Sequence, residues 1–61
     1  MSIWVNIKNQ DKRDGAVISV KILEADGQQQ GQAVELNAQE EVEKLVHGSN
    51  KIVIEEVRQP G

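Results

Sequence analysis

The sequence contains no cysteine, one proline and one aromatic residue, Trp4, in 61 residues. Without cysteine the chain forms no disulfide and offers no thiolate to a metal ion. His47 is the only histidine, which leaves too few nitrogen ligands for an ordinary zinc site. A chain this short buries only about 60% of the surface that its unfolded form exposes. We therefore expect a single domain over residues 1–61, without a cofactor, whose stability depends on an aliphatic core or on a partner.

Long apolar runs and an excess of basic residues are also missing. No segment approaches the roughly 20 apolar residues that a membrane-spanning helix needs, and the N-terminus lacks the features of a signal peptide. These absences predict a cytoplasmic protein without membrane contact. The net charge is −3, and residues 24–56 hold most of the acids. This distribution argues against direct nucleic-acid binding and favours a partner protein with a basic surface.

Catalytic motifs are absent as well. Gly27 and Gly31 flank glutamines and are not followed by the Lys-Ser/Thr of a phosphate-binding loop. Ser49 lies two residues from His47, but a Ser–His mechanism needs a third orienting group and an oxyanion hole. We therefore predict that the chain is not an enzyme.

What the sequence does have is β-branched aliphatic residues in alternating patterns. Val and Ile together number fourteen, against three Leu, and such side chains favour strands. Period-two alternation predicts strands at residues 2–9, 16–23, 33–36 and 51–57. Turn signals lie at Asp14-Gly15 and Asp26-Gly27, and the glutamine-rich segment 28–32 is predicted to be a flexible loop.

The segment from Leu36 to Asn50 fits two structures. As a helix over about 38–47, it would have Asn37 as N-cap, Glu40 completing a capping box and Gly48 as the C-terminal glycine. As a strand, it would use the alternation around Lys44 and form a hairpin with the last strand through residues 48–50.

A resemblance favours the strand. From Leu36 onward the chain resembles small bacterial and prophage proteins of unknown function, which have a Pro-Gly turn, a Val-Glu-x-x-Val-His strand and a closing strand that ends in Glu. The matching residues are Leu36, Glu40, Val42, Glu43, Val46, His47, Ile52, Val53, Ile54 and Glu56. Ala38-Gln39 replaces the Pro-Gly turn here. The resemblance implies a small β-sandwich and no activity.

We therefore predict an all-β fold, a five-stranded antiparallel sandwich or barrel. The alternative is an α+β fold with a four-stranded antiparallel sheet and one helix at about 38–47. The predicted core consists of Ile3, Val5, Ile7, Ile18, Val20, Ile22, Leu36, Val42, Val46, Ile52 and Ile54.

Trp4 alternates out of phase with the aliphatic residues of its strand, so it should leave the core face. It either caps a barrel end or a second small core with Val17, Leu23 and Val53, or stays exposed as an interface anchor. The predicted partner-binding residues are Trp4, Glu40, Glu41, Glu43, Glu55 and Glu56.

Two functions follow from this pattern. The first is a protein-interaction module, in one form a phage-type inhibitor that offers carboxylates to a nucleic-acid-binding protein complex in place of phosphates. The chain is similar in size and charge to anti-CRISPR proteins. The second is a structural or accessory prophage or virion protein that assembles through sheet contacts, for example as a homodimer.

Overall fold

The computed structural model describes residues 1–60 and is all-β, as predicted. Its five strands are β1 (Ser2–Lys8), β2 (Val17–Leu23), β3 (Gln29–Leu36), β4 (Glu41–His47) and β5 (Lys51–Arg58). They form an antiparallel two-stranded sheet, β1-β4, and an antiparallel three-stranded sheet, β3-β2-β5. The helix of the α+β alternative is wrong, because residues 41–47 pair with β1 along their whole length.

The Asp26-Gly27 turn joins β2 to β3 as a hairpin. Gly27 has a φ of 90°, in the left-handed region that glycine enters without steric cost. Its N–H donates to the Glu24 carbonyl at 2.9 Å, and the Glu24 N–H donates to the Gln28 carbonyl at 2.7 Å. This turn draws the glutamines into the sheet, where Gln29 pairs with Leu23. The predicted flexible loop at 28–32 is therefore wrong: backbone pairing does not need apolar side chains.

Residues 48–50 carry the chain from one sheet to the other. β4 pairs only with β1, and β5 pairs with β2, within the described residues. The predicted hairpin between the last two strands is therefore wrong, although both strands exist. A short loop containing Gly48 permits a hairpin but equally permits a crossing between layers, and burial of the aliphatic faces decides between them.

The turn at Asn37–Glu40 explains why this segment also resembles a helix start. The Glu40 N–H donates to the Asn37 carbonyl at 3.0 Å, and Gln39 has a φ of 69°, which is the geometry of a type II turn. The Glu40 carboxylate accepts a hydrogen bond from the Asn37 N–H at 2.7 Å. A capping box uses the same contact, so the local sequence suits both structures.

The core lies between the two sheets. Ile7 of β1 meets Val20 of β2 and Leu36 of β3, and Val20 has no exposed surface. Five partly buried aliphatic residues pack against this cluster: Val5, Ile18, Val34, Val42 and Ile52. We call the side of each sheet that carries these residues its inner face, and the other side its outer face.

Two members of the predicted core are exposed. Ile3 is 61% exposed and Ile54 is 52% exposed, so their assignment to the core is wrong. Ile3 lies opposite Val46, four positions along β1 from Ile7, and Ile54 lies on the edge strand β5. The two-stranded sheet is too narrow to cover the whole inner face of the three-stranded one, which leaves Ile54 exposed, whereas Ile3 lies near the start of β1, outside the core cluster.

Asn9 ties the loops to the sandwich where β1 ends. Its side chain is buried, and Nδ2 donates to the carbonyls of Ala16 at 2.9 Å and Leu36 at 3.1 Å. Its Oδ1 accepts from the Asp11 N–H at 3.1 Å. The Asn9 side chain therefore stabilises both the β1–β2 loop and the end of β3.

Candidate functional site

Trp4 lies on the outer face of the β1-β4 sheet. It pairs directly with Leu45 of β4, and 67% of its surface is exposed. Of the two environments expected for Trp4, the second core is wrong: its proposed partners lie on β2 and β5, which belong to the other sheet. The structure instead gives Trp4 the exposed position of the interface-anchor alternative.

Polar side chains surround the Trp4–Leu45 pair. On one side the Ser2 hydroxyl lies 2.6 Å from Nδ1 of His47, to which it donates when that nitrogen is unprotonated. The other side has Asn6 opposite Glu43, and Lys8 opposite Glu41 completes the sheet. We call this outer surface the Trp4 face: Ser2, Trp4, Asn6, Lys8, Glu41, Glu43, Leu45 and His47.

The serine that His47 contacts is not the neighbouring Ser49. Ser2 is distant in sequence and reaches His47 through the β1–β4 register, which places the two residues directly opposite each other. No sequence signal predicts this pair, because it depends on which strand β4 joins. Both residues are exposed, so the contact forms part of the polar border of Trp4.

The predicted glutamates lie on several surfaces. Glu41 and Glu43 belong to the Trp4 face. Glu40 lies in the turn before β4, bonded to the Asn37 backbone. Glu55 and Glu56 are neighbours on β5, so they point to opposite faces of the three-stranded sheet. The structure therefore places only two of the five glutamates on the same sheet face as Trp4.

The two glutamates of β5 also have partners within the chain. Glu55 is on the outer face, and its Oε1 lies 3.2 Å from Nζ of Lys21 in an ion pair. Glu56 pairs with Ile18, on the inner-face side, and its Oε1 accepts from Nε2 of Gln59 at 2.9 Å. Glu41 and Glu43 form no ion pair with any residue of the described chain.

One carboxyl group has a strongly shifted pKa. Asp11, in the β1–β2 loop, accepts hydrogen bonds from Nε of Arg13 at 3.1 Å and from Nη2 at 2.8 Å. These bonds, with a further one from the Arg13 backbone, lower the pKa of Asp11 to about 2. The same contact raises the pKa of Arg13. Because the pair is local in sequence and lies in a turn, it serves to fix the loop.

Residues 1–60 contain no detected cavity and no cluster of three or more acidic or histidine side chains suited to a metal ion. In the same part of the chain no helix has the length and apolar character needed to cross a membrane. Comparison with models of known protein families, with curated proteins and with solved structures found no match. The resemblance to small prophage proteins therefore stays a prediction.

Proposed function

We propose that this chain is a protein-interaction module that binds another protein through the Trp4 face. The observation that carries the proposal is the exposure of Trp4, the chain's only aromatic residue, on a regular sheet beside an aliphatic neighbour. Tryptophan is enriched among the residues that dominate binding energy, and these lie at the centre of an interface inside a polar border. The surroundings of Trp4 match that arrangement.

The magnitude expected for such an anchor is large. A tryptophan side chain buries about 150–250 Å² in an interface, and two thirds of the Trp4 surface is available for this. At about 25 cal/mol per Å² of apolar surface, covering Trp4 contributes roughly 2–4 kcal/mol. Holding Trp4 on a paired strand also reduces the ordering cost of association.

A partner with a basic surface suits the charges of the Trp4 face. Glu43 lies opposite the uncharged Asn6, so its carboxylate is available to a lysine or arginine of the partner. Glu41 lies opposite Lys8, which offsets part of its charge. The negative net charge of the chain steers it towards such a partner. In the inhibitor form of the proposal, Glu43 and Glu41 occupy positions that the partner otherwise gives to phosphates.

The test is a quantitative binding measurement on a partner captured with the wild-type chain. Trp4→Ala should weaken binding by about thirtyfold or more, while Ile54→Ala, which removes an exposed aliphatic side chain from the other sheet, should leave it unchanged. Glu43→Gln should weaken binding severalfold and reduce its salt dependence. Glu24→Gln, an exposed acid in the β2–β3 turn, is the matched charge control.

Three outcomes would contradict the proposal or its inhibitor form. If Trp4→Ala binds like the wild type, the Trp4 face is not the interface. If affinity is flat between low and high salt, or if Glu43→Gln and Glu24→Gln behave alike, the partner is not recognised through its basic charge and the inhibitor form fails.

A further inference from the structure

We propose that the free edge of β1 pairs with β1 of a second copy of this chain, antiparallel, about a two-fold axis at Val5. Among the described residues β1 has β4 on one side and no strand on the other. The proposal does not rest on the Trp4 face binding another protein, and it gives the self-assembly alternative a definite geometry.

The other edge strands carry features that prevent pairing. On β4, Lys44 lies opposite Val5 and points to the inner face. A strand added to this edge would have to pack against the charged Lys44 side chain. On β5, Glu56 points to the inner-face side next to an irregular step in the register with β2. On β3, the register with β2 is irregular between Gln30 and Val34. Inward-pointing charges and bulges are known devices against edge association.

β1 has none of these features. Its register with β4 is unbroken from Ser2 to Lys8, and the strand contains no proline. Its inward residues are aliphatic, and its only charge is at its last position. Ile3 is inward-pointing yet 61% exposed, so part of its aliphatic surface has no cover within the chain.

The hydrogen-bond pattern shows which backbone groups face this edge. The Gly48 N–H donates to the Met1 carbonyl at 3.0 Å, and the Asn9 N–H donates to the Glu40 carbonyl at 2.9 Å. Both bonds continue the β1–β4 register, so the odd-numbered residues of β1 bond to β4. The N–H and C=O groups of the even-numbered residues Ser2, Trp4, Asn6 and Lys8 therefore point to the free edge.

This edge is complementary to itself. With Val5 opposite Val5 of the second copy, Trp4 lies opposite Asn6 and Ser2 opposite Lys8. These even-numbered pairs exchange about eight backbone hydrogen bonds. No like charges are opposed, because each Lys8 faces a serine. On the inner face Ile3 lies opposite Ile7 of the second copy, which gives it an aliphatic neighbour. Because the backbone groups, the charges and the apolar side chains of this edge are all complementary to themselves, we infer that its partner is a second copy of the chain.

Pairing would turn two narrow sheets into one antiparallel sheet of four strands, with both three-stranded sheets on the same side. A two-stranded sheet is marginal in water, and more strands with an apolar face are more stable. The two Trp4 faces would lie side by side on the outer surface.

Sedimentation equilibrium from micromolar to millimolar concentration tests the proposal. The apparent mass should rise from one chain towards two and no further. Asn6→Pro removes an N–H that points to the free edge and leaves the β1–β4 bonds intact, so it should weaken the dimer by about tenfold or more. Asn6→Ala, which keeps that N–H, is the matched control and should dimerise like the wild type.

Ile3→Lys provides a second variant in case the proline disturbs β1. It places an inward-pointing charge on the edge at an exposed position, as Lys44 does on β4, and should also weaken the dimer by about tenfold or more while the circular dichroism spectrum stays native. A strict monomer at all concentrations would overturn the proposal, as would open-ended assemblies. A dimer that survives both Asn6→Pro and Ile3→Lys would assign the contact to another surface.

Discussion

Replacing Asn9 by alanine should remove the side chain that joins the β1–β2 loop to the end of β3. Asn9 is 6% exposed, and its Nδ2 supplies hydrogen bonds to the carbonyls of Ala16 and Leu36. Alanine leaves both carbonyl groups without this donor. An intramolecular hydrogen bond contributes about 1 kcal/mol, and a buried group left unpaired costs about 1–3 kcal/mol. We expect Asn9→Ala to lower the free energy of unfolding by about 2–4 kcal/mol.

This loss is close to the whole stability of such a domain. A core of this size rarely supplies more than about 3–5 kcal/mol, so Asn9→Ala should retain only about 1 kcal/mol and unfold at a much lower urea concentration than the wild type. Asn9→Asp keeps the shape but replaces the donating amide with a carboxylate, which cannot donate when ionised. At neutral pH it would place a negative charge against two carbonyl oxygens. Asn9→Asp should therefore destabilise the chain at least as much as Asn9→Ala.

Urea denaturation followed by far-ultraviolet circular dichroism measures both effects. Asn6→Ala is the matched control, because Asn6 is exposed on the outer face, and we expect it to change stability by no more than about 0.5 kcal/mol. Equal unfolding midpoints for Asn9→Ala and Asn6→Ala would show that the Asn9 hydrogen bonds do not hold the loop and β3 together, and would refute the reasoning.

Three further predictions concern a turn, a loop and the core. Ala38→Pro should stabilise the chain by about 0.4–1 kcal/mol, because Ala38 is the first central residue of the type II turn, where proline is favoured; a lower thermal midpoint would contradict that geometry. The pKa of Asp11 is lowered from 3.8 to about 2, so its contribution to stability is present above pH 3.8 and is lost as the pH falls through about 2. Carboxyl-carbon NMR should show that low midpoint in the wild type and a higher one in Arg13→Ala, and equal midpoints would exclude the Arg13 contact as the cause. Val20→Ala should cost about 2–3 kcal/mol in urea denaturation, far more than Val57→Ala at an exposed position, and similar costs for the two would place the core elsewhere.

The sequence predicted the strands because period-two alternation is a local property. Alternation around Val5 and Val20 located β1 and β2, and the Asp26-Gly27 turn joined β2 to β3. Local sequence alone does not decide between a strand and a helix at residues 38–47. Asn37 and Glu40 make one contact that serves a type II turn and a helix start alike. Only the pairing of β4 with β1, remote in sequence, decides the outcome.

The candidate site was predictable only in part, for the same reason. The alternation of residues in β1 predicted that Trp4 points away from the core. Whether Trp4 is exposed, however, depends on whether another layer covers that face of the sheet. Glu41 and Glu43 share a face by alternation, whereas their position on the same sheet face as Trp4 depends on the β1–β4 register. The contact between Ser2 and His47 needs that register as well.

The effect of a charged residue in this fold depends on whether it lies on an edge strand of a sheet. In the sequence, Lys44 and Glu56 are two charged residues among apolar ones, and they look like parts of a solvated surface. In the fold each one lies on an edge strand and points to the inner-face side, opposite Val5 and Ile18 respectively. There they oppose the addition of another strand. By contrast, β1 has only aliphatic residues at its inward-pointing positions. A second strand that pairs with this edge therefore meets no charge on the inner face.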